Sequence, residues 1–294
     1  MRLGAGLLFA CAIATSASPA GAEAVRRDFY FQTLDAERGL AQNTVTAMLQ
    51  DRSGFVWIGN AAGLQQYDGY GFSTYEHAAD DPNSLPEGAI SALAEDGRGD
   101  LWIGTSSHGL VRRGAADGRF RRVAIGGAGA PDGLAGTYSL QFDAHRGGLW
   151  VGTDAGVALV EPSSGRLLRL LPLAGANAPA PTPRKLRLAD DGSLWVASPA
   201  GLLRLAPQDD AFGRVAADAI DDVYDLAIGN DRQLLAATAH GVFRVRDDGA
   251  AEHVWPEQGG GPVTAVAEDA RGRLWIAVPR EGIAVFDPAD RQTQ

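Results

Sequence analysis

The stretch Gln50-Asp51-Arg52-Ser53-Gly54-Phe55-Val56-Trp57-Ile58-Gly59, followed by Ala61-Ala62-Gly63-Leu64-Gln65-Gln66-Tyr67, decides how this chain folds, because it recurs. Tryptophan returns in the same setting in Leu101-Trp102-Ile103-Gly104, Leu149-Trp150-Val151-Gly152, Leu194-Trp195-Val196-Ala197 and Leu274-Trp275-Ile276-Ala277. The spacings are 45, 48, 45 and 80 residues, and Leu234-Leu235-Ala236-Ala237 stands near the middle of the last interval. The chain therefore holds six repeats, centred on Trp57, Trp102, Trp150, Trp195, Leu235 and Trp275. A period of this size signals a repeat architecture.

Within one copy the residues read as four short strands. Val45–Gln50 is rich in strand formers and runs into the turn Asp51 to Gly54; Phe55–Gly59, Leu64–Tyr67 and Phe72–Tyr75 follow, each bounded by turn residues. Glycine stands three residues before the tryptophan position (Gly54, Gly99, Gly147, Gly192, Gly272) and again six or seven after it (Gly63, Gly109, Gly156, Gly201, Gly241, Gly282). Those are hairpin turns, where positive φ favours glycine. No helical pattern separates the strands, which argues against parallel βαβ units. Four strands per repeat predict an all-β fold, a β-propeller of six four-stranded blades. The fixed tryptophan is read as packing between blades, and Trp255, outside the pattern, as the more exposed one.

A propeller must protect the edges of its first and last blades. The sixth repeat yields three strands, Val263–Glu268, Leu274–Val278 and Ile283–Asp287, while Phe29–Leu34 precedes the first repeat and resembles the fourth strands Phe120–Ile125 and Arg166–Leu171. Two arrangements follow: a closed six-blade ring completed by residues 29–34, or a truncated seven-blade ring.

Composition narrows function. The 294 residues carry 26 Lys+Arg against 36 Asp+Glu, a net charge of −10, with no basic block, so phosphate-backbone binding to nucleic acid is excluded. Arg2, the apolar run Leu3 to Ala14 and small residues up to Ala24 read as a signal peptide over residues 1–24, leaving a propeller over 28–294 and an exported, periplasmic protein. The run is too short to span a bilayer, and no second one approaches that length. The only cysteine, Cys11, lies in the leader and matches a lipoprotein box poorly; its removal excludes disulfides and thiolate chemistry. Five histidines form no H-E-x-x-H pair, and nucleophile-elbow and phosphate-loop motifs are absent. No catalytic residue, metal ligand or cofactor is assigned. The Asp-x-x-Gly turns place aspartate three residues before glycine, unlike the aspartate box of sialidases, and are read as Asx-type hairpin turns.

The turns between second and third strands open on the same face as the links between blades. They offer Asn60, His108, Asp154, Ser198, His240 and Arg280, one from each repeat, as polar groups for a small-molecule or oligosaccharide ligand. The links Ala78 to Gly88, Gly126 to Gly136 and Ala174 to Pro183 are long enough to contribute to recognition.

Gly39-Leu40-Ala41-Gln42-Asn43-Thr44-Val45, running on into the opening stretch and then Tyr67-Asp68-Gly69, resembles the two-component regulator propeller family. The resemblance covers about residues 28–287 and fades in the fifth repeat, where Leu235 replaces tryptophan and Asn230-Asp231-Arg232 lacks the glycine. It implies the periplasmic sensor half of a receptor whose output module, a histidine kinase or a diguanylate cyclase, lies beyond this sequence, with room for a homodimer through the full-length receptor. It also implies seven blades per ring. The alternative is a secreted propeller enzyme, a carbohydrate lyase or glycosidase; a WD-type scaffold is disfavoured because Ile or Val, not Asp, follows tryptophan.

Overall fold

The computed structural model describes residues 31–127, 134–173, 181–256 and 260–293. The chain divides into two compact units, Met1–Thr33 and Leu34–Gln294. The expected leader, residues 1–24, and residues 28–30 lie outside the described residues. The second unit holds six sheets, each of four antiparallel strands in sequence order.

Blade 1 contains β1 (Val45–Gln50), β2 (Val56–Asn60), β3 (Gly63–Tyr67) and β4 (Phe72–Tyr75). Blade 2 contains β5 (Ile90–Glu95), β6 (Leu101–Thr105), β7 (Gly109–Arg113) and β8 (Phe120–Val123); blade 3 contains β9 (Thr137–Asp143), β10 (Gly148–Thr153), β11 (Gly156–Val160) and β12 (Leu167–Leu171). Blade 4 runs through β13 (Lys185–Leu188), β14 (Leu194–Ser198), β15 (Gly201–Leu205) and β16 (Gly213–Val215). Blade 5 runs through β17 (Val223–Ile228), β18 (Leu234–Thr238), β19 (Gly241–Val245) and β20 (Ala251–Trp255), and blade 6 through β21 (Ala265–Glu268), β22 (Leu274–Val278), β23 (Gly282–Asp287) and β24 (Gln292–Thr293). The only helix among the described residues is one 3-10 turn, Ala36–Arg38. The six-bladed, all-β reading holds.

One expectation is corrected. Residues 31–34 form no strand, and the fourth strand of blade 6 is β24, which pairs with β23 through Phe286 opposite Thr293 and Asp287 opposite Gln292. The reason is local. Asp287 Oδ1 accepts the Ala289 backbone N–H at 3.0 Å and Arg291 takes a left-handed φ of +57°, so a tight turn folds the chain back onto its own edge.

The first hairpin of each blade, between its first and second strands, carries an aspartate with two tasks. Asp96 Oδ1 accepts the backbone N–H groups of Arg98 and Asp100, while Oδ2 accepts the Trp102 indole N–H at 2.9 Å. Asp51 with Trp57, Asp143 with Trp150 and Asp269 with Trp275 repeat the indole bond at 2.8, 3.1 and 3.1 Å. In blade 4 Asp191 takes the Ser193 hydroxyl and Arg204, whose guanidinium lies over the Trp195 ring; in blade 5, where Leu235 has no N–H to offer, Asp231 pairs with Arg244. The glycine closing these turns has φ from +60° to +90°, and Arg232 supplies the same conformation in blade 5 at +66°.

The indoles of Trp57, Trp102, Trp150 and Trp195 sit between blades, as expected. Five apolar clusters join consecutive blades: Trp57 with Ile90, Ile103 and Phe120; Trp102 with Leu140, Leu149 and Val151; Trp150 with Leu186, Leu194 and Val196; Trp195 with Val223, Leu226 and Phe243; and Leu235 with Val266, Leu274 and Ile276. Among the described residues no cluster joins blade 6 to blade 1, and Met48 and Ile283, on the sides of β1 and β23 turned away from these clusters, are exposed. Trp255 is half-buried on β20 and donates its indole N–H to Thr293 Oγ1 at 3.3 Å, tying blade 5 to the last strand.

The residue two beyond the tryptophan explains the Trp-Ile-Gly signature. A Cβ at Gly104 would stand 2.5 Å from Thr137 Cγ2, and one at Gly152 would stand 2.8 Å from Pro183 Cγ, both in the next blade. Gly104→Ala should therefore overpack the junction of blades 2 and 3 and lower stability by about 1–3 kcal/mol, measurable as a shift of the urea midpoint at unchanged slope. Asp96→Ala should cost about 2–4 kcal/mol, since it strands a buried indole N–H and two turn amides together. A smaller loss for Asp96→Ala than for Asp68→Ala, in an exposed turn, would contradict this account.

Candidate functional site

In the first five blades the second hairpin, between the second and third strands, is built around one polar side chain at the end of the second strand, where blade 6 has Val278. Thr105, Thr153, Ser198 and Thr238 donate their hydroxyls to the carbonyls of Gly109, Gly156, Gly201 and Gly241 at 2.9–3.0 Å. Asn60 does the equivalent work differently, its Oδ1 accepting the N–H groups of Ala62 and Gly63 at 2.9 and 3.1 Å. These hairpins share a face with the blade links. A Cβ at Gly88 would touch His108 Nδ1, one at Gly136 would touch Asp154 Oδ2, and one at Gly260 would touch the His240 carbonyl.

The six residues expected to offer ligand contacts thus divide. Asn60 and Ser198 are fully buried; the Ser198 hydroxyl and Asn60 Oδ1 serve their own turns, while Asn60 Nδ2 has no partner among the described residues. His108, Asp154, His240 and Arg280 are exposed at the turn tips. His108 Nδ1 lies 3.0 Å from Ser107 Oγ, Asp154 Oδ1 accepts the Tyr138 hydroxyl at 2.7 Å, and His240 Nε2 lies 3.3 Å from Asp221 Oδ1. Arg280 stands at φ +71°. No hydrogen bond or ion pair joins any two of the six, so they are points distributed around one face and not a preassembled cluster.

Sequence reading missed a connected group on the same face. Arg184, just before β13, places Nη1 2.7 Å from Asp222 Oδ1 and donates to the Val223 carbonyl at 3.1 Å; its guanidinium lies 4.4 Å from the centre of the Tyr224 ring. The Tyr224 hydroxyl donates to Asp222 Oδ2 at 2.8 Å. Burial opposes the charged form of Asp222, but the Tyr224 hydroxyl, Arg184 and His240 outweigh it and hold the carboxyl below its usual range. The hydrogen bond to Asp154 raises the Tyr138 phenol, and that to Asp222 raises Tyr224.

Tyr138 and Tyr224 reach this face for one backbone reason. Both occupy a β-bulge in an inner strand, where register slips between Thr137 and Ser139 and between Val223 and Asp225. A bulge re-aims a side chain out of the pleat. The same slip in β1 and β5 turns Thr46 and Ser91 to donate to the carbonyls of Ile90 and Thr137 in the next blades. The signal was a polar or aromatic residue second in four of the six inner strands, Thr46, Ser91, Tyr138 and Tyr224; its partners lie in other blades or at a distant turn tip, so spacing alone could not expose it.

A cavity of about 510 Å3 lies between β8 and the turn before β12 and is lined by Arg112, Arg121, Arg122, Ser163, Ser164 and Arg166. Asp100, Asp117 and Glu161 pair with Arg112, Arg121 and Arg166.

The sequence profile of the two-component regulator propeller family matches residues 39–62 and 84–107, the entries to blades 1 and 2. Histidine kinase P4 of Formosa agariphila is 32% identical over 63 residues, which is 21% of this chain and 5% of that protein. Among solved structures, the extracellular domain of the putative hybrid two-component system BT3049 of B. thetaiotaomicron superposes with a TM-score of 0.75 at 20% identity, covering 88% of this chain and 36% of that one. The corresponding domain of BT4673 gives 0.74 at 18%, covering 91% and 38%. Virginiamycin B lyase of Staphylococcus aureus gives 0.68 at 15%, covering 87% and 85%. The chain thus spans little more than a third of the extracellular domains it resembles, and among the described residues no helix is long and apolar enough to cross a membrane.

Because Ser198 serves its turn, Ser198→Ala should lower stability by about 1 kcal/mol while leaving any ligand response of the protein intact. A lost response with an unchanged melting temperature would reassign Ser198 to the ligand.

Proposed function

From the premise that this chain is built of two-component regulator propeller repeats, we propose that it is the exported, ligand-binding input domain of a two-component or cyclic-di-GMP signalling receptor, without catalytic activity of its own. The observation that carries the reading is the family match at the first two repeats, together with a fold shared with extracellular domains of hybrid two-component systems. Export follows from the residue 1–24 leader, and places the propeller where an extracellular signal is met.

Recognition is assigned to the face of second hairpins and blade links. His108, Asp154, His240 and Arg280 stand there on rigid strand ends, with Arg184, Asp222 and Tyr224 already ordered between blades 4 and 5. Mixed donors, acceptors and aromatic faces suit a small polar or sugar-like ligand. Binding across several blades favours one packing of blades or subunits over another, and an output module reads that population shift. The second reading is a secreted propeller enzyme, and the fold shared with virginiamycin B lyase favours it only in that a propeller of this kind can carry an enzyme.

The two readings separate by experiment. A panel of neutral and acidic oligosaccharides should raise the melting temperature without being cleaved, and both Asp154→Ala and His240→Ala should abolish that rise. A rise that persists in both variants overturns this face as the site, and turnover of the saccharide overturns the non-catalytic reading.

A further inference from the structure

The inner strand of blade 4 departs from the other five in charge. Lys185 pairs with Ala197, and at that register the remaining inner strands carry Ala47, Ala92, Ser139, Asp225 and Ala265. Two residues on, Arg187 pairs with Trp195, and no other inner strand has a cation at that register. Leu186 and Leu188 belong to the apolar cluster with blade 3, so by strand alternation Lys185 and Arg187 project from the opposite side of β13, toward blade 5.

On that side one carboxylate serves both cations. Lys185 Nζ lies 3.7 Å from Asp225 Oδ1, and Asp225 Oδ2 also accepts the Val266 backbone N–H at 3.3 Å. The hydrogen bond of Arg187 is local, from Nη1 to the Leu186 carbonyl at 3.2 Å. The Lys185 side chain keeps 36% of its exposure although it sits on an innermost strand, so that exposure opens into the space the inner strands surround. Burial, then the charge of Arg187, lowers the Lys185 ammonium below its usual value, and burial lowers Arg187 likewise; Asp225 acts against both shifts without cancelling them. Enclosed charge is unfavourable unless it is paired.

We propose that Lys185 and Arg187 form a binding site for a small oxyanion at the inner junction of blades 4 and 5. Alternate residues of a strand lie about 6.6 Å apart, a span across which an ammonium and a guanidinium grip one anion from two sides. The arginine fork fixes orientation and the lysine adds a point charge. The anion supplies the second negative charge that Asp225 alone does not.

Lys185 is the only lysine of the chain, so amine acylation followed by mass spectrometry reports on this site separately from the N-terminal amine. Inorganic phosphate at about four times its dissociation constant should slow acylation of Lys185 roughly fivefold, as expected for simple occupancy. Sodium chloride at equal ionic strength should not. Arg187→Gln should remove the protection while leaving the circular dichroism spectrum intact, because Gln141 already occupies the equivalent register in blade 3. Equal acylation rates in phosphate and chloride, or protection that survives Arg187→Gln, would overturn the site. Neither result depends on whether the hairpin face binds a saccharide.

Discussion

A buried indole brings one N–H that must find an acceptor, and in four of the six blades the aspartate of the first hairpin provides it. The same carboxylate closes the turn by accepting backbone N–H groups, so turn and core are fixed by one side chain. Trp57, Trp102 and Trp150, so held, present their rings to the next blade. Where the pair is altered, in blades 4 and 5, arginines of the third strand take over the aspartate, which keeps the turn in place without the indole bond.

Close packing then dictates the rest of the repeat. Glycine follows two residues after the tryptophan in the first three blades because a residue of the next blade, Ile90, Thr137 or Pro183, occupies the space a Cβ would need. Alanine suffices in the last three. The inner strands are also stitched by polar bridges, from Thr46 to Ile90, Ser91 to Thr137 and Leu186 to Ser139, and then by Asp225, which receives both Lys185 and Val266. Blades 4 and 5 are thus joined at the axis by charge, where the earlier junctions use hydroxyls and carbonyls. That difference places uncompensated positive charge at one point of an otherwise acidic protein.

A scaffold held at five apolar junctions suits a sensor. The hairpin tips carry exposed polar groups that take little part in stability, while the residues beneath them, Thr105, Thr153, Ser198 and Thr238, hold the turns rigid. Under the proposed function, ligand contacts spread over several blades would couple recognition to the relative position of those blades, which is the displacement an output module would read.

The repeat, its six copies and its strand-turn grammar were legible in the sequence, because period-two alternation, glycine turns and a recurring tryptophan are local signals that survive without tertiary context. The dual role of Asp51, Asp96, Asp143 and Asp269 was half legible: their spacing announced turns, but not the indole they reach. Asn60 and Ser198 looked like ligand groups since nothing in a sequence tells a polar side chain facing solvent from one folded back on its own hairpin. Three matters were left to the tertiary structure: that β24 completes blade 6, that bulges aim Tyr138 and Tyr224 at the hairpin face, and that Arg184 and Lys185 meet carboxylates about 40 residues away. Each depends on which strands become neighbours, and a repeating sequence specifies the blade before it specifies what stands beside it.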